Sequence, residues 1–226
     1  MASLSEKLTS HEGRSVSTWA RRRRQELLLA RFPNLADMRV LDLGGEAHTW
    51  TALEAGPREV TLLNIPWRAE EQAQELAGRP EAAWLTPVGG DACDPPAELR
   101  DDHFDLVYSN SVIEHVGGHQ RRRAFSYYAQ ALGDHHWIQT PNRYFPVEPH
   151  WVCPGMQYLP PRARAAVTTV WPIGNYTRRR ESLTQRMGDV LAVELLSASE
   201  LRFYFPQSKI VRERVAGLAK SLIAVG

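Results

Sequence analysis

The stretch Arg39 to Gly45, RVLDLGG, limits the fold more than any other part of the chain. Val40 to Leu43 make an apolar run broken by one acid, Asp42, long enough for a short buried strand. Two glycines follow, and glycine lets a backbone turn sharply and approach a ligand closely. In open parallel sheets, ligands bind outside the carboxyl ends of the strands. A carboxylate and bare amide groups at such a place suit a ligand carrying an amine, a ribose and an adenine.

The chain then alternates short strands with helical stretches. A helix is expected at 15–31, with Trp19, Leu27 and Leu28 as buried contacts, and a first strand at 38–43. Further strands are expected at Val60 to Ile65, Trp84 to Val88, Phe104 to Asn110 and 136–140. Helices are expected at 69–77 and at 120–132, where apolar residues at 124, 125, 128, 131 and 132 follow the helical period. Ser197-x-x-Glu200 has the spacing of a capping box and opens a short helix before Pro206. Runs at 208–215 and 219–225 flank Ala216-Gly217 and predict an antiparallel hairpin at the sheet edge. The alternation implies an α/β fold, a doubly wound, mostly parallel sheet closed by that C-terminal hairpin. At 226 residues the whole chain, 1–226, is expected to be one domain.

A net charge of +1 gives no strong pull toward nucleic acid or an anionic membrane. Cys93 and Cys153 lie far apart without metal spacing, which fits a reduced, cytoplasmic setting. The N-terminal MASLSEKLTS lacks the apolar core of a secretion signal, and no run is long enough for a membrane span. The Arg21 to Arg24 run reads as a solvated helix face. The sequence carries no signal of oligomeric state.

Between Pro141 and Gly174 seven prolines interrupt regular structure and aromatics are interleaved. This segment, about 142–180, is expected to form a cap or lid inserted in the domain. Tyr144, Trp151, Tyr158 and Trp171 suit stacking on sugar faces, with Arg143 and Glu148 bonding hydroxyls; the alternative is a cap core. A small sugar or glycoside fits this composition better than nucleic acid, which the Arg178-Arg179-Arg180 run keeps open.

Other strand-end residues complete a candidate cofactor crevice. Asn64 lies 22 positions after Asp42, the spacing of a ribose contact. Asp91 and Ala92 follow strand three, and Asn110 ends strand four. RVLDLGG, GDACD and FDLVYSNSVIEHVGG together resemble the class I S-adenosylmethionine (SAM)-dependent methyltransferases, in particular the small "type 11" enzymes. The resemblance covers about 38–141 and, more loosely, the terminal hairpin. It implies a Rossmann-like methyltransferase sheet and SAM as cofactor, with Gly44 and Gly45 near the methionine part and Asp42 as a supporting or direct contact. Two features depart from the family: the loop continues Glu46-Ala47-His48 without further glycines, and Asn64 replaces an acidic residue. The G-x-G-x-x-G fingerprint of NAD binding is absent.

Methyl transfer to a hydroxyl needs alignment of the acceptor and removal of a proton, so a base or a metal ion is useful. Glu114 and His115 follow strand four, and Glu148 and His150 follow strand five; adjacent strand ends let the two segments converge. The arrangement resembles the metal-dependent RNA 3′-end ribose and ubiquinone-pathway O-methyltransferases, whose E-x-x-E-H motif reads here Ser111-Val112-Ile113-Glu114-His115, without the first carboxylate. By that resemblance Glu114, His115 and His150 hold Mg2+ or another divalent ion. Joint ligation by the neighbours Glu114 and His115 requires a turn. Without a metal, His115 or His150 is the base. Of the other ionisable residues, Asp105 reads as a structural residue of its strand, one of His135 and His136 as buried, and His119 as a surface loop residue.

The expected protein is thus a SAM-dependent O-methyltransferase of a small, sugar-like acceptor. The rivals are a metal-free N- or C-methyltransferase and a non-catalytic SAM-fold binding subunit.

Overall fold

Each of the first five strands is followed by a connection that returns the chain to the same end of the sheet, which makes neighbouring strands parallel. The computed structural model describes residues 16–171 and 182–226, with side chains from residue 22 onward. The expectations for the first ten residues, the Trp19 and Arg21 side chains, Pro172 and the Arg178-Arg179-Arg180 run lie outside that description.

The strands are β1 (Arg39–Leu43), β2 (Glu59–Asn64), β3 (Leu85–Gly89), β4 (Phe104–Asn110), β5 (Gly133–Pro141), β8 (Lys209–Val215) and β9 (Leu218–Val225). They form one sheet in the order β3-β2-β1-β4-β5-β9-β8. β1 to β5 run parallel, and β9 and then β8 join antiparallel. The order reverses between β1 and β4, which puts the switch point, where such sheets bind ligands, beside Gly44. The mostly parallel sheet and its terminal hairpin agree with expectation. Ala216 and Gly217 make the turn with φ of 49° and 83°.

Both faces of the sheet are covered, so β1 is apolar on both sides. Leu41 and Leu43 pack in a core with α5 (His119–Ala131) and α8 (Ala198–Tyr204), around Phe125, Ala129 and Leu201. Val40 faces the opposite core, where Leu28 of α1 (Val16–Arg31), Trp50 of α2 (Ala47–Thr51) and Trp137 meet. By the two-residue period Asp42 shares Val40's face. Asp105 accepts from the Arg39 backbone N–H at 2.6 Å, the structural role expected of it. His136 is the buried one of its pair, against Ser208 Oγ at 2.6 Å. His119 opens α5 and meets the Tyr204 hydroxyl at 3.1 Å, which corrects its reading as a loop residue.

Two helix readings are also corrected. α3 (Pro66–Leu76) begins three residues earlier than expected, because Pro66 is preorganised for the first helical position. The cap is more regular than its prolines implied. It contains a two-stranded ribbon, β6 (Val147–Glu148) with β7 (Cys153–Pro154), then α6 (Pro161–Val170); α7 (Leu183–Leu191), past the expected end near 180, packs with it. Pro161 starts α6, and a Ser182–Gln185 capping box starts α7. Trp151, Met156, Ala165, Val190 and Val193 give this layer its own apolar cluster.

Asp42 is 1% exposed, and its Oδ2 accepts from Trp50 Nε1 at 2.7 Å. Burial pushes its pKa from the usual 3.8 to about 8, against the opposing pull of the Trp50 hydrogen bond. The folded chain therefore holds this proton where the unfolded chain has lost it. The stability it contributes is full below about pH 4 and is lost as pH rises through 8. Asp42→Asn is expected to flatten the fall of the thermal midpoint between pH 6 and 9 and to exceed the parent at the alkaline end. Parallel pH profiles for the two proteins would contradict this account.

Candidate active site

The glycine turn is packed from both sides. Gly44 has φ +74°, and a Cβ there would meet Val112 Cγ2 at 2.5 Å. A Cβ on Gly45 would meet the Asp42 carboxyl at 2.4 Å. Asp42 thus supports the loop and, held as a neutral acid against Trp50, is no charged partner for a ligand amine. The Gly45 carbonyl accepts from Asn64 Nδ2 at 3.1 Å and Gln72 Nε2 at 2.8 Å. Asn64 Oδ1 also accepts from the Ile65 N–H at 3.0 Å. Asn64 therefore braces the loop and does not present a free side chain to a ribose. Glu46 pairs with Arg68, which also reaches Glu71 and Glu75 on α3.

Asp91 follows β3 as expected, but both its oxygens accept from Arg121 at 2.8 Å, and Oδ1 also accepts from the Cys93 N–H. These hydrogen bonds and the guanidinium outweigh partial burial and lower its pKa. Ala92, half-buried, lies against the apolar core. Asn110 Oδ1 accepts from Arg24 Nη1 at 2.6 Å. Arg24 also pairs with the buried Glu213 of β8 at 3.0 Å, and its side chain is only 12% exposed. The solvated-face reading of the Arg21 to Arg24 run is thus wrong for Arg24, because Asn110 and Glu213 draw it inward.

The chemical candidates converge. Residues 111–116 turn instead of starting a helix, with Ser111 at φ 60° and the His115 N–H on the Val112 carbonyl. This turn brings Glu114 and His115 together, the condition their joint use required. One ligand atom from each of Glu114, His115 and His150 lies within 4.8 Å of the other two. The two Nε2 atoms are 3.0 Å apart, with the rings edge-on at 87°. His150 Nδ1 lies 2.7 Å from Glu148 Oε1. A carboxylate only accepts, so Nδ1 carries the hydrogen, and Nε2 is the ring nitrogen that faces His115. Glu148 Oε2 takes the Trp151 N–H at 2.8 Å.

Glu114 is 1% exposed; Oε2 accepts from Thr140 Oγ1 at 2.9 Å, while Oε1 has no hydrogen-bond partner among the described residues. Burial pushes its pKa up to about 7. Desolvation first, then the neighbouring His150, pushes His115 down to about 4, so its imidazole is neutral at neutral pH.

Several acceptor-side expectations change. Glu148 is buried and committed to His150 and Trp151, and Arg143 is engaged by the Leu195 carbonyl and Glu200. Trp151 is buried in the cap, and Trp171 packs on that cluster and donates to the Trp151 carbonyl. Tyr144 and Tyr158 keep exposed rings. Sequence reasoning missed Thr140 and Arg24. Thr140 was findable as the polar residue at the end of the strand next to Glu114's; Arg24 had no local signal.

Residues 41–134 match the family model described as "Methyltransferase domain". No curated protein matches the chain. Among solved structures, the fold is shared with the methyltransferase domain of bacterial CtHen1 (TM-score 0.57, 12% identity, 91% of this chain and 98% of that one). It is shared with the mitomycin 7-O-methyltransferase MmcR (TM-score 0.52, 17% identity, 86% of this chain), about half of whose length (49%) the chain spans. It is also shared with magnesium protoporphyrin IX methyltransferase from Synechocystis PCC 6803, solved with bound SAH (TM-score 0.54, 12% identity, 97% and 91%). The matched residues run from β1 into β5 and include the turn at Gly44 and the β4 end at Asn110.

Gly45→Ala is expected to cost about 1–3 kcal/mol, because the new methyl group meets a buried carboxyl that cannot move aside. Urea unfolding measures this; an unchanged midpoint would mean the loop is looser than its packing indicates.

Proposed function

We propose that this enzyme transfers a methyl group from SAM to a hydroxyl of a small acceptor of the sugar or glycoside class, and that Glu114, His115 and His150 hold a divalent ion beside that hydroxyl. The observation that carries the reading is the pair of Nε2 atoms 3.0 Å apart, next to an unpartnered, buried Glu114 Oε1. Nδ1 of His150 is spent on Glu148, and two ring nitrogens 3.0 Å apart need a proton or a cation between them. A histidine braced by a carboxylate is a common feature of metal sites.

The donor set fits an ion. Two imidazoles and one carboxylate oxygen suit Mn2+, Zn2+ or Co2+ better than Mg2+, which prefers oxygen. A bound divalent ion supplies Lewis acidity that makes an alcohol proton easier to lose. The chain's own contribution is placement: Thr140 fixes one Glu114 oxygen and frees the other, Glu148 fixes the His150 tautomer, and the neutral His115 keeps a nitrogen available. SAM, when bound, supplies an electrophilic methyl group, and the acceptor must be aligned with it. The switch point beside Gly44 and Asn110 supports placing the cofactor there, with Asp91 and Ala92 at the adenine side. Exchanging the Asp91–Arg121 pair for ligand contacts costs little, because both side chains are about half exposed. Tyr144 and Tyr158 offer exposed rings for a sugar face.

Titration of Mn2+ or Zn2+ by calorimetry tests the ion. Glu148→Gln and His150→Ala are expected to lower affinity 10- to 100-fold or more while SAH binding persists. Turnover of a sugar panel is expected to stop after chelation and return on add-back. Full turnover in the chelated enzyme would remove the ion from the reading, and turnover only on amines would overturn hydroxyl transfer.

A further inference from the structure

A cavity of about 780 Å3 lies between α1 and α2, with Tyr108 and Asn110 of β4 in its wall. It therefore opens at the carboxyl end of β4, beside β1, at the switch point of the sheet. Most of its wall is apolar or uncharged: Leu28, Leu29, Trp50, Leu53 and Tyr108. Charges at its edge largely offset each other; Arg22 and Glu26 form an exposed pair.

Arg24 differs from these edge residues. It is mostly buried, yet it lines the cavity. Asn110 takes one N–H and Glu213 another. A guanidinium has five N–H donors, so three lack an acceptor among the described residues, the buried Nε–H included. Both partners also fix its orientation, so little side-chain entropy is left to lose when a ligand binds. A buried, oriented, under-used guanidinium at the wall of a cavity is a receptor for a planar anion, and a carboxylate matches its fork.

The glycine turn is a poor alternative anchor for such an anion. Asp42 lies beneath Gly45, and the side chain of Glu46 extends toward Arg68 on α3. His48 of α2 also lines the cavity, but the guanidinium of Arg24 is the group held at the switch point, reaching it from α1 through Asn110.

We propose that Arg24 binds the carboxylate of the ligand's amino-acid end and that this cavity holds that end. The inference rests on SAM being the cofactor, and it moves recognition of the cofactor's amino-acid part from the glycine loop to the N-terminal helix. Arg24 is then a binding residue, and Asn110 and Glu213 position it.

S-adenosylhomocysteine carries the carboxylate; 5′-methylthioadenosine has the same adenosine and sulfur without it. Calorimetry with both separates carboxylate recognition from general damage. Arg24→Gln alone strands the buried Glu213, so the double variant Arg24→Gln/Glu213→Gln, which removes both charges, is measured beside it. In the double variant, S-adenosylhomocysteine is expected to bind at least tenfold more weakly and methylthioadenosine within twofold of the parent. Arg24→Lys, which keeps the charge but loses the fork, is expected to fall between. Unchanged S-adenosylhomocysteine affinity, or an equal loss for both ligands, overturns the role of Arg24. If the parent protein binds neither ligand, the cofactor reading itself fails, and this inference with it.

Discussion

A buried carboxyl group holds the end of β1 in place. Asp42 lies under Gly45 so closely that no side chain fits above it, and Trp50 closes its other side. Burying an acid costs free energy, and the chain limits the cost by keeping the acid protonated and giving one oxygen the indole N–H. Trp50 belongs to α2, so the same bond fixes the helix that follows the turn. The Gly45 carbonyl is then clamped by Asn64 and Gln72, from the end of β2 and from α3. The turn, α2 and two neighbouring elements thus depend on one buried acid.

The chemical cluster depends on a second constraint, the parallel pairing of β4 with β5. Their register sets Asn110 opposite Gln139, so the segments leaving them run side by side. Ser111 bonds back to Gln139 through both its backbone and its side chain, which forces the sharp turn presenting Glu114 and His115. The cap then returns over the site. The Glu194 N–H meets the Glu114 carbonyl, and the Arg143 N–H meets the Leu196 carbonyl. Bonds to backbone atoms hold the cap without using the side chains that carry the chemistry.

The sheet was legible because it obeys short-range rules: apolar runs of strand length, a glycine pair, and Ala216-Gly217 between two strand patterns. The convergence of Glu114, His115 and His150 was legible as a possibility, since adjacent strand ends bring such residues near. What was not legible involves long-range choices of partner. Arg24 sits in a run of four arginines, and its inward turn is decided by Asn110 and Glu213, 86 and 189 positions away. Asn64 and Asp91 occupied the expected strand ends, but their partners, Gly45 and Arg121, came from other elements. The cap misled for another reason. Its prolines mark starts of structure as well as breaks, and the apolar faces of α6 and α7 close on each other, not on the main sheet.

The pairing of Arg24 with Glu213 has a consequence for how the protein is made. A ribosome releases α1 long before β8, and β8 lies at the edge of the sheet, joined to it only through β9. Until then Arg24 has no buried carboxylate to meet, and the cavity wall it forms is unfinished. The first helix and the penultimate strand therefore mature together. A chain halted after α8 but before Glu213 carries every loop of the crevice and still lacks the carboxylate that settles Arg24.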